Sequence, residues 1–168
     1  EKNVVCGHIK SFNGGQAIEG NPLLNDYDLT FTKIDLETEN TSDYISGYAY
    51  IEAKVTADLL NTFCIELSSG MTVDSVLLDG VSVNFIHLND EILADLDIPS
   101  QNGDSFSATI YYKGSGNDNS NYAGGLHHLS DEPIFDFEPL TYSFTQPYGA
   151  FFWFPCQQIL ADKIDLLY

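Results

Sequence analysis

Tyr44-Ile45-Ser46-Gly47-Tyr48-Ala49-Tyr50-Ile51-Glu52-Ala53-Lys54-Val55 repeats with a period of two. Ile45, Gly47, Ala49, Ile51, Ala53 and Val55 take every second place, and Tyr44, Ser46, Tyr48, Tyr50, Glu52 and Lys54 take the others. Successive side chains of a strand point to opposite faces, so the pattern predicts a strand with one buried face and one wet or partly covered. The same signal recurs outward from it. Phe63-Ile65-Leu67 repeats it briefly, and Phe106-Ala108-Ile110-Tyr112 alternates cleanly after a turn at Gly103. Val73 to Leu78 and Val81 to Phe85 flank Asp79-Gly80, the strongest short-range hairpin signal. Glu91 to Ile98, Ile134 to Glu138 and Thr141 to Phe144 read as further strands. No stretch shows sustained 3.6-residue periodicity. Short strands joined by tight turns predict an all-β fold, an antiparallel β-sandwich or barrel without βαβ units.

A chain of 168 residues is long enough to bury a sizeable core. Six basic against 25 acidic residues give a formal charge of -19, a surface that repels phosphate backbones and argues against nucleic-acid binding. With 43% apolar residues, the acidity does not signal disorder. No apolar run approaches the roughly 20 residues of a transmembrane segment. The start at Glu1, without a methionine, is consistent with a removed signal peptide, and the expected location is periplasmic, cell-surface or secreted. Cys6, Cys64 and Cys156 are odd in number and widely spaced, so both an oxidised pair and buried free thiols fit.

Residues 1–26 carry Gly14-Gly15, Gly20 and Pro22 and read as an irregular N-terminal arm, followed by a single strand-built domain over 27–168. Cys6 and His8 are too few for a structural zinc site, which takes four ligands. Gly114 to Gly125 is a polar loop whose Asn117, Asp118, Asn119 and Asn121 lack the spacing of an EF-hand, and it reads as a surface turn. A zinc peptidase needs two His one helical turn apart with a Glu between them, and His8, His87, His127 and His128 form no such motif. His127 and His128, as neighbours in a strand, point to opposite faces. The serines lack a nucleophile elbow, and no carboxylate pair stands out locally for glycoside hydrolysis.

The second informative stretch is Pro147 to Lys163, PYGAFFWFPCQQILADK. Phe151, Phe152, Trp153 and Phe154 are consecutive, and each fully buried Phe contributes roughly 1.5–3 kcal/mol, so the fold must close over them. Gln146-Pro147, Phe154-Pro155-Cys156 and Asp162-Lys163 stand in the register that ends the N-terminal domain of the M1 family of zinc aminopeptidases, the family of aminopeptidase N and leukotriene A4 hydrolase, which this stretch resembles. Tyr27-Asp28-Leu29, Ile34-Asp35-Leu36 and Ile45-Ser46-Gly47 are similar to that domain's opening strands, so the likeness spans most of Tyr27 to Lys163. The chain departs from the pattern at Phe151, where many relatives have Arg, at Gln158, where Asp is usual, and at Leu160, where Pro is usual.

The resemblance implies a saddle-like sheet and a non-catalytic domain that ends before the catalytic one. It further implies that the partner is the catalytic domain of the same polypeptide, that the zinc sits there and that no cofactor is held here. Gln146 would reach into the neighbouring cleft and accept a hydrogen bond from the free α-amine of a peptide substrate through its neutral carbonyl oxygen. Relatives hold the following peptide in the cis form, so Gln146-Pro147 is expected to be cis, which an X-Pro bond makes inexpensive. Two rival expectations stand beside this one. Tyr44, Tyr48 and Tyr50 share a strand face, and such a row suits either a neighbouring domain or sugars, as in a secreted carbohydrate-binding or adhesion β-sandwich. The departures also fit an M1-like scaffold without catalysis.

Overall fold

The structure, a computed structural model, describes residues 20–117, 124–130, 138–145, 149–159 and 164–168. Among them are eleven strands: β1 (Tyr27–Thr38), β2 (Tyr44–Val55), β3 (Leu59–Glu66), β4 (Thr72–Leu78), β5 (Val81–Val83), β6 (Phe85–Leu88), β7 (Glu91–Gln101), β8 (Ser105–Ser115), β9 (Leu126–Leu129), β10 (Leu140–Ser143) and β11 (Leu166–Leu167). Short 3-10 turns lie at Pro22–Asn25 and Ala150–Phe152, and the described residues include no α-helix. The chain is all-β, as its alternation predicts. Six strands form one sheet in the order β11-β1-β2-β8-β4-β5, three form a second in the order β3-β7-β6, and β10 pairs with β9.

The alternation of β2 is visible directly in its packing. Ile45, Ala49 and Ile51 are fully buried and Ala53 and Val55 nearly so, while Tyr44, Glu52 and Lys54 are exposed. Gly47 breaks the run of side chains for a steric reason: at φ +156° an added Cβ would lie 2.1 Å from the Asp35 carbonyl oxygen of the paired strand. The Asp79-Gly80 link forms the expected tight turn, with φ 48° and 78°, the two positive values a type I′ hairpin needs. Its second arm is shorter than the apolar run suggests. Val81–Val83 pairs with β4, and after Asn84 the chain passes to the other sheet, where Phe85–Leu88 pairs with β7.

One hydrophobic cluster joins the six-stranded and three-stranded sheets. Tyr27 of β1, Phe63 of β3 and Phe106 of β8 meet there, with Tyr27–Phe63 ring centroids 5.6 Å apart and Phe63–Phe106 5.8 Å apart. The alternation of β3 fails at its end. Cys64 and Glu66 alternate with Phe63 and Ile65, yet they too are buried, and at Glu66 the segment around Cys156 and Gln158 supplies the partners. Among the described residues one pairing is parallel, Phe31 and Thr32 of β1 with Leu166 and Leu167, beside otherwise antiparallel ladders.

Candidate functional site

The aromatic run is held by ring packing and by hydrogen bonds. Gly149 leads into a 3-10 turn over Ala150–Phe152, and Phe151, Phe152 and Phe154 are buried while Trp153 is half-buried. Phe151 and Phe152 centroids lie 4.2 Å apart, and Trp153 meets Phe154 edge to face at 4.7 Å. The expectation that the fold closes over these rings holds: they belong to the same cluster as the two sheets. Main-chain ties fix the run, with Ser68 N donating to Phe151 O at 2.9 Å and Tyr112 Oη donating to Trp153 O at 3.1 Å.

Downstream, Cys156 forms an antiparallel bridge with Glu66, their backbone N–H groups donating to each other's carbonyls at 3.0 and 3.1 Å. The buried Glu66 carboxyl then accepts from Gln158 N at 2.9 Å and from Gln158 Nε2 at 3.3 Å. This accounts for one departure from the M1 pattern. An acidic residue at 158 would set two carboxyls against each other, whereas the glutamine amide donates. Gln157 Nε2 donates to Leu24 O at 2.7 Å, tying the same segment to the turn before β1. At Phe151 the departure has a packing reason, because a charged side chain there would enter the core.

Upstream, Trp153 Nε1 donates to Thr145 Oγ1 at 3.0 Å and Phe144 N donates to Gly125 O at 2.9 Å. Gly125 has φ +88°, and a Cβ there would fall 2.1 Å from Gly116 O, so only glycine permits this approach. These contacts anchor Phe144 and Thr145, ahead of the predicted substrate-binding pair. Gln146 and Pro147 themselves, with the bond between them, lie outside the described residues, as do Cys6, His8, Asp118, Asn119, Asn121, 134–137, Leu160, Asp162 and Lys163.

The described histidines, His87, His127 and His128, form no site together. His87 Nε2 lies 3.0 Å from Leu67 O. His127 is buried and stacks on Tyr142 at 5.4 Å, while His128 Nδ1 sits 3.2 Å from Thr141 Oγ1, so the neighbours diverge as strand geometry requires. Among the described residues no group of three or more His, Cys, Asp or Glu is placed to hold a metal ion. No zinc chemistry is therefore assigned to them.

Cys64 and Cys156 are buried free thiols. Burial, helped by the Glu91 and Glu66 carboxyls, pushes Cys64 up to about 12, and burial raises Cys156 as well. The folded state thus holds these protons more tightly than the unfolded one. Their contribution is fully present below the ordinary thiol range, about 8.5, and is lost as pH rises from there towards the folded values. Urea stability is expected to be level up to about pH 8 and to decline above about pH 9, less steeply in Cys64→Ala. A thiol-reactive dye is expected to label both cysteines only after unfolding.

The geometry defines an all-β domain whose C-terminal aromatic segment seals the core. Among solved structures it is similar to an M1 zinc metallopeptidase from Deinococcus radiodurans, at 17% identity and a TM-score of 0.67, covering 82% of this chain and 30% of that one. A two-domain M1 zinc metallopeptidase mutant bound to L-arginine matches with a TM-score of 0.69, 17% identity and the same coverage. Native yeast leukotriene A4 hydrolase matches with a TM-score of 0.61 and 17% identity, covering 86% of this chain and 23% of that one. No family model matches the sequence, and no curated protein matches it. The fold is that of the N-terminal domain of M1 zinc metallopeptidases. The chain spans less than a third of the length of the enzymes it matches.

Proposed function

We propose that this chain is the N-terminal, non-catalytic part of an M1-type zinc metallopeptidase. In this reading it caps the active-site cleft of a catalytic domain in the same polypeptide, which carries the zinc, and Gln146 accepts a hydrogen bond from the free α-amine of a peptide substrate. The observation that carries the proposal is the M1-type fold with the Phe154-Pro155-Cys156 step in place against Glu66. Such an enzyme is proposed to work outside the cytoplasm, in keeping with the acidic surface. Among the described residues no helix is long and apolar enough to cross a membrane.

Kinetics of the longer polypeptide test the reading. Gln146→Ala is expected to lower kcat/KM for a peptide with a free N-terminus by about 10- to 100-fold, the value of a hydrogen bond to a charged group. Gln146→Glu is expected to restore or improve it, and hydrolysis of any N-acetylated substrate is expected to be unaffected. Equal loss on free and acetylated substrates would remove Gln146 from the amine site.

A further inference from the structure

The outer face of the six-stranded sheet carries an open depression of about 370 Å³, lined by Asp35, Glu37, Ser46, Tyr48, Asp74 and Tyr111 among others. Cross-strand register builds it in two rows. In one, Asp35 pairs with Tyr48 and Tyr48 with Tyr111, whose rings lie 5.5 Å apart at 41°. In the next, Glu37 pairs with Ser46 and Ser46 with Lys113. An aromatic strip therefore runs beside a polar one.

The charges at the rim are largely matched within the site. Lys33 Nζ donates to Asp35 Oδ2 at 2.9 Å and to Tyr48 Oη at 2.8 Å, and Lys113 Nζ lies 2.9 Å from Asp74 Oδ1. Two of the three carboxylates already face a lysine, which weakens the pull on a cation, and a chain of net charge -19 repels an anion. What is left is a set of donors and acceptors around two tyrosine rings. Lys33 lies over the Tyr48 ring, 5.1 Å from its centroid, and Tyr111 is 41% exposed. A ligand that fits has an apolar flat side for the ring and many hydroxyls for the rim, and no net charge. That is the chemistry of a pyranose.

We infer that this depression binds a neutral saccharide chain, with one sugar ring laid on Tyr111 and its hydroxyls exchanging hydrogen bonds with Asp74, Ser46 and Asp35. The inference does not rest on the peptidase reading, and peptide kinetics do not report on it.

Native affinity electrophoresis of the 168-residue chain, in gels containing a soluble β-glucan, a mannan or starch, tests the inference. Retardation is expected in at least one gel, unchanged from low salt to about 0.5 M, where ionic attraction is screened. Tyr111→Phe is expected to keep the retardation and Tyr111→Ala to weaken binding about tenfold, roughly the value of a lost aromatic contact. Asp74→Asn, which preserves shape, is expected to weaken it several-fold, and it serves if Tyr111→Ala does not fold. No retardation in any of the three gels, retardation abolished by salt, or a Tyr111→Ala chain retarded as strongly as the parent would each overturn the inference.

Discussion

Phe63→Ala is expected to lower the stability of the domain by about 3–5 kcal/mol, read as a shift in the urea midpoint with little change in slope. Phe63 is fully buried in β3, and its ring packs against both Tyr27 of β1 and Phe106 of β8, which also meet each other. It therefore belongs to one sheet and packs against side chains of the other. Removing the ring subtracts its transfer free energy and leaves a cavity whose walls are held on separate ladders. Those walls cannot collapse together without shifting a sheet, which places the cost at the upper end of the range. Phe63→Leu fills most of the space and is expected to cost less than half as much. Val81→Ala, at an exposed position on the edge strand β5, is expected to stay within about 0.5 kcal/mol of the parent. A Phe63→Ala loss no larger than that of Val81→Ala would contradict the shared core.

The second large effect is expected at Glu66. Glu66→Ala strips Gln158 of the acceptor for both its main-chain and its side-chain N–H, and each donor left unsatisfied in a part-buried setting costs about 1–3 kcal/mol. A total loss of about 2–4 kcal/mol is expected. Glu66→Gln keeps one carbonyl oxygen for Gln158 N and is expected to lose less than half of that. The loss is also local. Hydrogen exchange at the amides of Cys156 and Gln158 is expected to quicken well beyond exchange in β2, because the backbone bridge to Glu66 loses its side-chain support. Equal exchange in the two segments would show that the bridge stands without the carboxyl.

Much of the architecture is legible in the chain where the cause is local. The period of two over Tyr44–Val55 and the Asp79-Gly80 turn each depend on residues a few positions apart, and both appear as read. Features set by distant partners do not show. Cys64 and Glu66 occupy positions that alternation alone assigns to an outer face, yet both are buried, and at Glu66 the partners are Cys156 and Gln158, some 90 positions later. The turn at Asn89-Asp90 has φ of 54° and 66° with no glycine to announce it. The parallel pairing of Leu166–Leu167 with β1 rests on two residues, too few to carry a period. For the candidate site the aromatic run was readable as a sealing element, whereas the Trp153–Thr145 hydrogen bond was not, since an indole N–H reveals no partner until the turn at Ala150–Phe152 is built.

The bond from Gln157 to Leu24 joins residues 133 positions apart, and β1 takes Leu166 on the edge opposite β2. On a ribosome, β1 must wait for nearly all of the residues that follow it here before both its flanks are occupied. Closure across such spans is slow, on the order of milliseconds to seconds for β-rich topologies. Through that interval a naked ladder edge and several aromatic rings are open to strangers, so the nascent polypeptide is a natural client for a holding chaperone, and its yield on expression should follow the supply of one more than the strength of the finished fold.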